Sequence, residues 1–477
     1  MKRLISILLL AGVAACAPAP GKLAEPRSAS SLPAGRSLAA TADAVWPGDN
    51  WWQAYGDPQL DALIAEARTG SPDVAAAMAR IRQADALARQ AGSVLLPSVS
   101  AGGNAGFNKQ SYNNGIPAEF VPKGWNDAGA LNASASFDLD LWGKNRAALA
   151  AATSNAQAAK VDADQALLLL TSNVAGAYAD LAQLFAERDI AARALEVRQD
   201  TFKLTGQRVD NGLDNRGTLQ LSQSRAAAAE ADVAALDEAI ALTRNRLAAL
   251  VGSGPDRGLD IVRPQLAALA PRGLPANLPL DLIGRRPDIV SARLRAEAAT
   301  HTIRSDRAAF YPDINLTALI GVQSLGLGNI VDSGSTYGSV GPAFSLPLLN
   351  RGRLVGQLRG AEAASDLAVA DYDAALIKAL QDVADASASI RALGQRRASA
   401  AEALSAAEGA YSIAQQRYTG GLATYLDVLT AEDTVLAARR SAADLDARAV
   451  TLDIALVRAL GGGFSDRSAA SSASPAR

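Results

Sequence analysis

The chain has 477 residues, 49% of them hydrophobic and 20% charged, a balance that argues against both a disordered chain and a multi-span helical membrane protein. A formal net charge of −2 with no basic stripe argues against nucleic acid as a partner. One His and one Cys argue against a His/Cys metal site or a disulfide framework, so no metal or other cofactor is expected.

The N-terminus accounts for the single cysteine. Lys2 and Arg3 precede an apolar run, Leu4 to Val13, that is too short to span a bilayer, and Val13-Ala14-Ala15 supplies the small residues of a cleavage site. Residues 1–15 read as a signal peptide. Cys16 then reads as the lipidated first residue of the mature chain, in the manner of a bacterial lipobox. By the same likeness to bacterial lipoproteins, Ala17 in place of Asp favours sorting to the outer membrane. Residues 16–45, rich in Pro, Ala, Gly and Ser, read as a tether.

Folded structure opens near residue 46, with Asp57-Pro58 as a helix start. A helix from Pro72 to about Gly92 must stop before Pro97. Extended segments follow at about 96–108 and 128–141. In the latter, Leu131, Ala133, Ala135 and Phe137 alternate with Asn132, Ser134, Ser136 and Asp138, a period of two with one apolar and one wet face. Long Ala-rich helices then run from Gly143 to about Asp210 and from Asn215 to Val251. Leu167, Leu170, Val174, Tyr178, Leu181 and Phe185 mark the seam of the first, and Leu236, Ile240, Thr243, Leu247 and Leu250 that of the second.

The same order then repeats. "PDVAAAMARIRQADALARQAGSVLLPSVS" from Pro72 is echoed by "PDIVSARLRAEAATHTIRSDRAAFYPDIN" from Pro287, an offset of 215; "QRVDNGL" from Gln207 is echoed by "QRYTGGL" from Gln416, an offset of 209. The copies occupy residues 46–252 and 287–463, with 253–286 as a linker and 464–477 as a polar, disordered tail. The second copy carries strands at about 311–323 and 336–348 and helices from Gly352 to Thr419 and Thr424 to Leu460. A helix of this length, about 100 Å at ~1.5 Å per residue, is more than a compact domain needs. Four strands cannot close a barrel, since the smallest membrane barrels have about 8. The strand pattern by itself fits a soluble sandwich equally well. If the strands face lipid, the chain must oligomerise to remove their edges.

Taken together, Cys16, "WWQAYGDPQLDALIAEA" from Trp51, "RRPDI" from Arg285, "YPDINL" from Tyr311, "QRYTGGLATYLDVLTAE" from Gln416 and "RALGGG" from Arg458 resemble the TolC-like outer-membrane efflux proteins, nearest the OprM/NodT-type lipoprotein branch. The resemblance covers residues 46 to 463. It implies an α+β membrane protein: a homotrimer whose protomers each give four strands and long coiled-coil helices to a 12-stranded β-barrel continued by a 12-helix periplasmic α-barrel. It implies a passive exit duct, not an enzyme, fed by a periplasmic adaptor (membrane-fusion) protein and a proton-driven inner-membrane pump, with outer-membrane lipid around it. A lipidated periplasmic adaptor and the outer-membrane component of a polypeptide secretion system are the alternatives. Residues carried over as adaptor-contacting tips are Arg208, Gly212, Leu213, Arg417, Gly421 and Leu422. Those carried over to a periplasmic gate are Leu426 and Thr430, with Asp427 or Asp433 supplying an acidic ring. His301, with no second His and no acidic cluster, reads as structural.

Overall fold

The computed structural model describes residues 21–28, 31–34, 36–38, 44–267, 272–275, 278–347 and 349–466. In chain order its elements are α1 (Pro58–Gly70), α2 (Pro72–Ser93), β1 (Ser98–Asn108), β2 (Asn126–Asp138), α3 (Lys144–Asp210), α4 (Arg216–Leu250), α5 (Asp256–Leu259), α6 (Leu278–Arg285), α7 (Pro287–Ala308), β3 (Asp313–Leu325), β4 (Thr336–Ser345), α8 (Arg351–Thr419) and α9 (Tyr425–Ala459). Among the described residues no helix is long and apolar enough to cross a membrane. Two compact units form, and each draws on both copies of the repeat. One comprises residues 21–26, 81–159 and 292–372, the other 27–80, 160–291 and 373–466.

The first unit holds a single antiparallel sheet in the order β1-β2-β3-β4, so the central pairing joins the two copies. The register sorts side chains by face. Val99 lies opposite Ala135, Leu131 opposite Val322, Ile320 opposite Gly338 and Ala318 opposite Val340, so one face is apolar across all four strands. That face is bare: Val99, Leu131, Ile320, Val340 and Phe344 are all exposed. The other face is wet and bonded to itself, with Ser100 Oγ 2.8 Å from Ser134 Oγ and Asn132 Nδ2 donating to Tyr337 Oη. Backbone amides and carbonyls along the outer edges of β1 and β4 have no strand beside them. Where β2 gives way to α3, the Asp140 carboxylate accepts the backbone N–H groups of Asn145 (2.9 Å) and Arg146 (3.0 Å), capping the helix start. Trp142 stacks on Tyr311 at 4.8 Å and donates Nε1–H to Pro312 O, fastening that end of the sheet.

The second unit is helical. Its core packs Trp51, Tyr55, Leu60, Leu63 and Ile64 against the seams of α3 (Val174, Tyr178, Leu181), α4 (Ile240, Leu247) and α9 (Ile454, Val457). Asp57 serves both ends of this arrangement. One carboxylate oxygen caps α1 by accepting Gln59 N–H, and the other accepts the buried Tyr178 hydroxyl at 2.7 Å. Burial, with that bond second, pushes the Tyr178 hydroxyl pKa up. Residues 253–286, expected as a linker, instead supply α5, α6 and the buried Ile261 to this unit. Prolines at 255, 264, 271, 275 and 279 cut this stretch into pieces too short to show a helical period.

The duplication survives in local geometry. Gly252 and Gly461, 209 apart, follow α4 and α9 with φ of +79° and +92°; a Cβ would lie 2.1 Å from the Gly70 carbonyl oxygen in one and 1.9 Å from that of Arg285 in the other. Gly70 and Arg285 are themselves 215 apart. Each copy therefore ends its last helix by pressing a left-handed glycine onto the turn that opens its first. The expected tether differs from a free linker where it is described: the backbone of residues 21–27 is hydrogen-bonded to carboxylates of α8. Cys16 and residues 467–477 of the tail lie outside the described residues, as does Leu348 at the expected end of β4.

Candidate functional site at the hairpin tips

Within the second unit, α3 turns into α4, and α8 into α9, through two matching loops. Leu213 N–H donates to Arg208 O (2.8 Å) and Gly212 N–H to Val209 O (3.0 Å); in the second copy Leu422 N–H donates to Arg417 O (2.7 Å) and Gly421 N–H to Tyr418 O (3.0 Å). The paired 6→1 and 5→2 bonds form a Schellman cap in each copy. The left-handed residue is Gly212 (φ +67°) or Gly421 (φ +73°). Each next helix is then capped by a side chain. Asn215 accepts Thr218 N–H at the start of α4, and Thr424 with Asp427 forms a reciprocal capping box at the start of α9. These bonds leave Leu213 and Leu422 exposed at the tips, with Leu426 exposed as the second residue of α9.

The two arginines expected at the tips differ. Arg417 is exposed. Arg208 is half-buried, lying over the Tyr418 ring at 4.9 Å and reaching Asp214 at 3.7 Å, so it joins the first tip to the second hairpin. Tyr418 continues into a small cluster with Tyr425, Val428 and Leu429. Burial raises the Tyr425 hydroxyl to about 12. Beyond the tips, Leu426, Thr430 and Asp433 follow one another at i, i+4 and i+7 along α9. Leu426 and Thr430 are exposed and Asp433 half-buried. Asp427 is committed to its cap: bonds from the Thr424 hydroxyl and backbone N–H hold its carboxyl below the usual aspartate range.

Asp433 belongs to an ion-pair cluster that pattern reading missed. Arg198 of α3 donates Nε to Glu432 Oε1 and Nη2 to Asp433 Oδ1, both at 3.0 Å, while Arg225 of α4 reaches Asp433 Oδ2 at 3.2 Å. Arg198 and Glu432 are buried, with side chains 9% and 7% exposed. Burial pushes the Glu432 carboxyl up, opposed by Arg198. One guanidinium thus ties α3 to α9 through two carboxylates, and α4 joins by the second. The available signal was the placement of Arg198 among apolar seam positions, which looks like an ordinary surface charge until the helices are paired. His301 is half-exposed, and among the described residues no group of His, Cys, Asp and Glu could hold a metal.

Comparison with known proteins decides the family. The model of the family described as outer membrane efflux protein matches residues 63–253 and 278–462. The chain belongs to the outer membrane efflux protein family. Among this efflux protein's relatives, fusaric acid resistance protein FusA of Burkholderia cepacia is 38% identical over 346 residues, spanning 70% of this chain and 64% of FusA. Multidrug resistance outer membrane protein MdtP of Escherichia coli (strain K12) is 31% identical over 432 residues, 89% of this chain and 88% of MdtP. The crystal structure of outer membrane protein VceC of Vibrio cholerae superposes with a TM-score of 0.83 at 44% identity, covering 88% of this chain and 100% of VceC. The efflux protein is therefore an outer-membrane channel component.

Proposed function

We propose that three copies of the chain close a 12-stranded barrel in the outer membrane, continued by a 12-helix periplasmic barrel, and that this duct conducts drugs or other small molecules outward. The observation that carries the reading is the sheet: four strands with two open edges, a bare apolar face and a wet face of Ser, Asn and Thr. An open edge in hydrocarbon leaves backbone groups unsatisfied at several kcal/mol each, so β1 of one copy pairs with β4 of the next. Three-fold closure satisfies every edge and leaves a lumen lined by the wet face. Strands of 10–13 residues suit a membrane crossing, which takes about 9–11 residues tilted near 45°. Two relatives are named for resistance, FusA to fusaric acid and MdtP to multiple drugs, which favours a small-molecule cargo.

The duct itself is passive, and an inner-membrane pump supplies energy through a periplasmic adaptor docked on the exposed tip leucines Leu213 and Leu422. Leu426 and Thr430 line the periplasmic constriction, and the Arg198 cluster clamps Asp433 in its closed form. Cys16 carries the lipid. The decisive experiment is drug export in an efflux-deficient outer-membrane host supplied with matched pump and adaptor. Gly421→Asp places a charge where a Cβ meets no heavy atom within 4 Å, at a left-handed φ costing an L-residue about 1–2 kcal/mol. A folded, heat-modifiable trimer without export is expected; full export by the variant would refute tip docking, and a wild-type monomer would refute the barrel.

A further inference from the structure

A cavity of about 190 Å³ opens within the second unit, where α3, α8 and the end of α9 meet the turn ahead of α7. Its polar lining comes from four places in the chain: Gln165 of α3, Arg286 before α7, Lys378 and Asp382 of α8, and Arg458 of α9. Asp382 is the one acid among the described lining residues, and both its oxygens are engaged. Oδ1 lies 2.8 Å from Lys378 Nζ, and Oδ2 accepts Arg286 Nη1–H at 3.2 Å. Behind Arg286, whose side chain is 8% exposed, Asp288 takes the other edge of the guanidinium, accepting Nε–H on Oδ1 at 3.0 Å. Three cations thus face two carboxylates, and one positive charge is left over. Among the described residues the Arg458 guanidinium and the Gln165 amide have no partner. Arg458 and Lys378 are exposed and Arg286 is buried, so two cations stand at the mouth and one at the floor.

The fold does not call for these charges. Gly461 closes this corner by pressing onto the Arg285 carbonyl, and Gly252 closes the matching corner of the first copy on Gly70 in the same way. There Ser71 stands for Arg286 at an offset of 215, and Ala249 for Arg458 at 209. Lys378 answers to Leu169 or Thr171, at 209 or at the 207 that relates Arg146 to Arg353. The first copy therefore builds the same corner with none of the three cations. A cation in the last turn does favour a helix dipole, yet α4 ends without one. We propose that the cavity binds a phosphate-class oxyanion, inorganic phosphate or a phosphate monoester, which ties α3, α8 and α9 together at that level. Donors converge from four separate places, as the four acceptor corners of a tetrahedral anion require. A planar carboxylate is better met by one guanidinium edge, and Arg286 already gives that edge to Asp288.

The test is calorimetric titration of inorganic phosphate into the full-length protein in detergent micelles, in chloride buffer at constant ionic strength. The parent should take up one phosphate per chain. Arg458→Gln and Lys378→Gln, both at exposed side chains, should each weaken binding about tenfold, the worth of one charge-assisted hydrogen bond, and together should abolish it. Arg391→Gln, at an exposed cation of α8 outside the cavity, should leave binding unchanged. Phosphate should also raise the unfolding temperature of the parent and not that of the doubly substituted protein. Competition by glycerol 3-phosphate identifies a monoester such as a lipid headgroup as the ligand, and its failure to compete identifies the free ion. A parent without saturable phosphate binding would overturn the proposal, and so would parental affinity in both single variants. Displacement of phosphate by an equal concentration of acetate would overturn the tetrahedral class.

Discussion

Replacing Arg198 with Met tests whether the buried ion pair holds the last helix in place. In the native protein Arg198 satisfies Glu432 and half of Asp433, each at 3.0 Å. Met keeps most of the aliphatic stem but leaves Glu432, 7% exposed, as an uncompensated buried charge. Removing one partner of such a pair costs about 3–5 kcal/mol, which raises the population of locally opened α9 by roughly two to three and a half orders of magnitude. The cost depends on pH with a definite sign. Burial already raises the Glu432 pKa, so acidification lets the orphaned carboxyl neutralise, and the penalty shrinks toward mildly acidic pH and is largest near pH 8. The assays are hydrogen exchange over residues 428–436 and single-channel conductance in a planar bilayer, both from pH 5 to 8. Two controls bound the effect. Arg193→Met removes an exposed pair with Glu196, worth ~0–1 kcal/mol, and should change neither readout. Arg198→Met with Glu432→Leu replaces the pair by apolar groups and should restore slow exchange. If Arg198→Met matched Arg193→Met in exchange and conductance at pH 8, the cluster would be ornament on a helix held by its apolar seam alone.

Three further outcomes follow from the geometry. Val340→Arg, on the bare face near the middle of β4, should cost about 2–4 kcal/mol of membrane stability, whereas Ser339→Arg on the wet face should be nearly neutral; refolding into lipid vesicles under urea separates them. Gly461→Ala puts a Cβ 1.9 Å from a backbone carbonyl that no rotamer change can move. Overpacking and left-handed strain together predict a loss of about 2–5 kcal/mol, read as a lower dissociation temperature of the heat-modifiable form. The Gly21 N–H bond to Glu362 belongs to a carboxyl whose folded pKa is depressed, chiefly by that N–H. Its contribution is therefore complete above the ordinary glutamate pKa of about 4.3 and lost as pH falls through the lowered value, so the Gly21 amide should stay protected at pH 5 and open only in stronger acid.

What could be read from the residues was whatever has a period or a punctuation mark. Pro97 and Pro312 cannot continue a helix, and β1 and β3 begin at Ser98 and Asp313, one residue after each. Alternation from Leu131 to Phe137 named the apolar face of β2 because a sheet with one bare face obeys a strict period of two. The tip glycines were legible because a Schellman cap needs a left-handed residue at a fixed place. Contacts that depend on which helices become neighbours were not legible. Arg208 was expected only at an adaptor-contacting tip, yet it lies over Tyr418, 210 positions away. Asp427, a candidate for an acidic ring, is half of a capping box, a role that "TYLD" does spell out once Thr424 is taken as the N-cap. The bonds of residues 21–27 to α8 were invisible because backbone amides are their donors, and any residue but proline supplies one.

The ion pairs show where the two copies have parted. Arg188 pairs with Asp237, and exactly 209 residues on Arg397 pairs with Asp446, so at that level the scaffold is still symmetric. The Arg198 cluster has no such counterpart. Positions 209 away from Glu432 and Asp433 are Gln223 and Ser224, and those 209 away from Arg198 and Arg225 are Ala407 and Thr434. Both cations therefore come from the first copy and both acids from the second, so the cluster ties both helices of the first hairpin to α9, and the matching positions carry no equivalent. In the gate proposed above, moving α9 away from α3 and α4 would break the bonds of Asp433 to Arg198 and Arg225. Asp433→Asn, which takes the charge from both arginines while keeping the side chain's shape, should raise conductance above that of the native channel. An unchanged or lowered conductance would mean that these ion pairs do not hold α9 when the duct is closed.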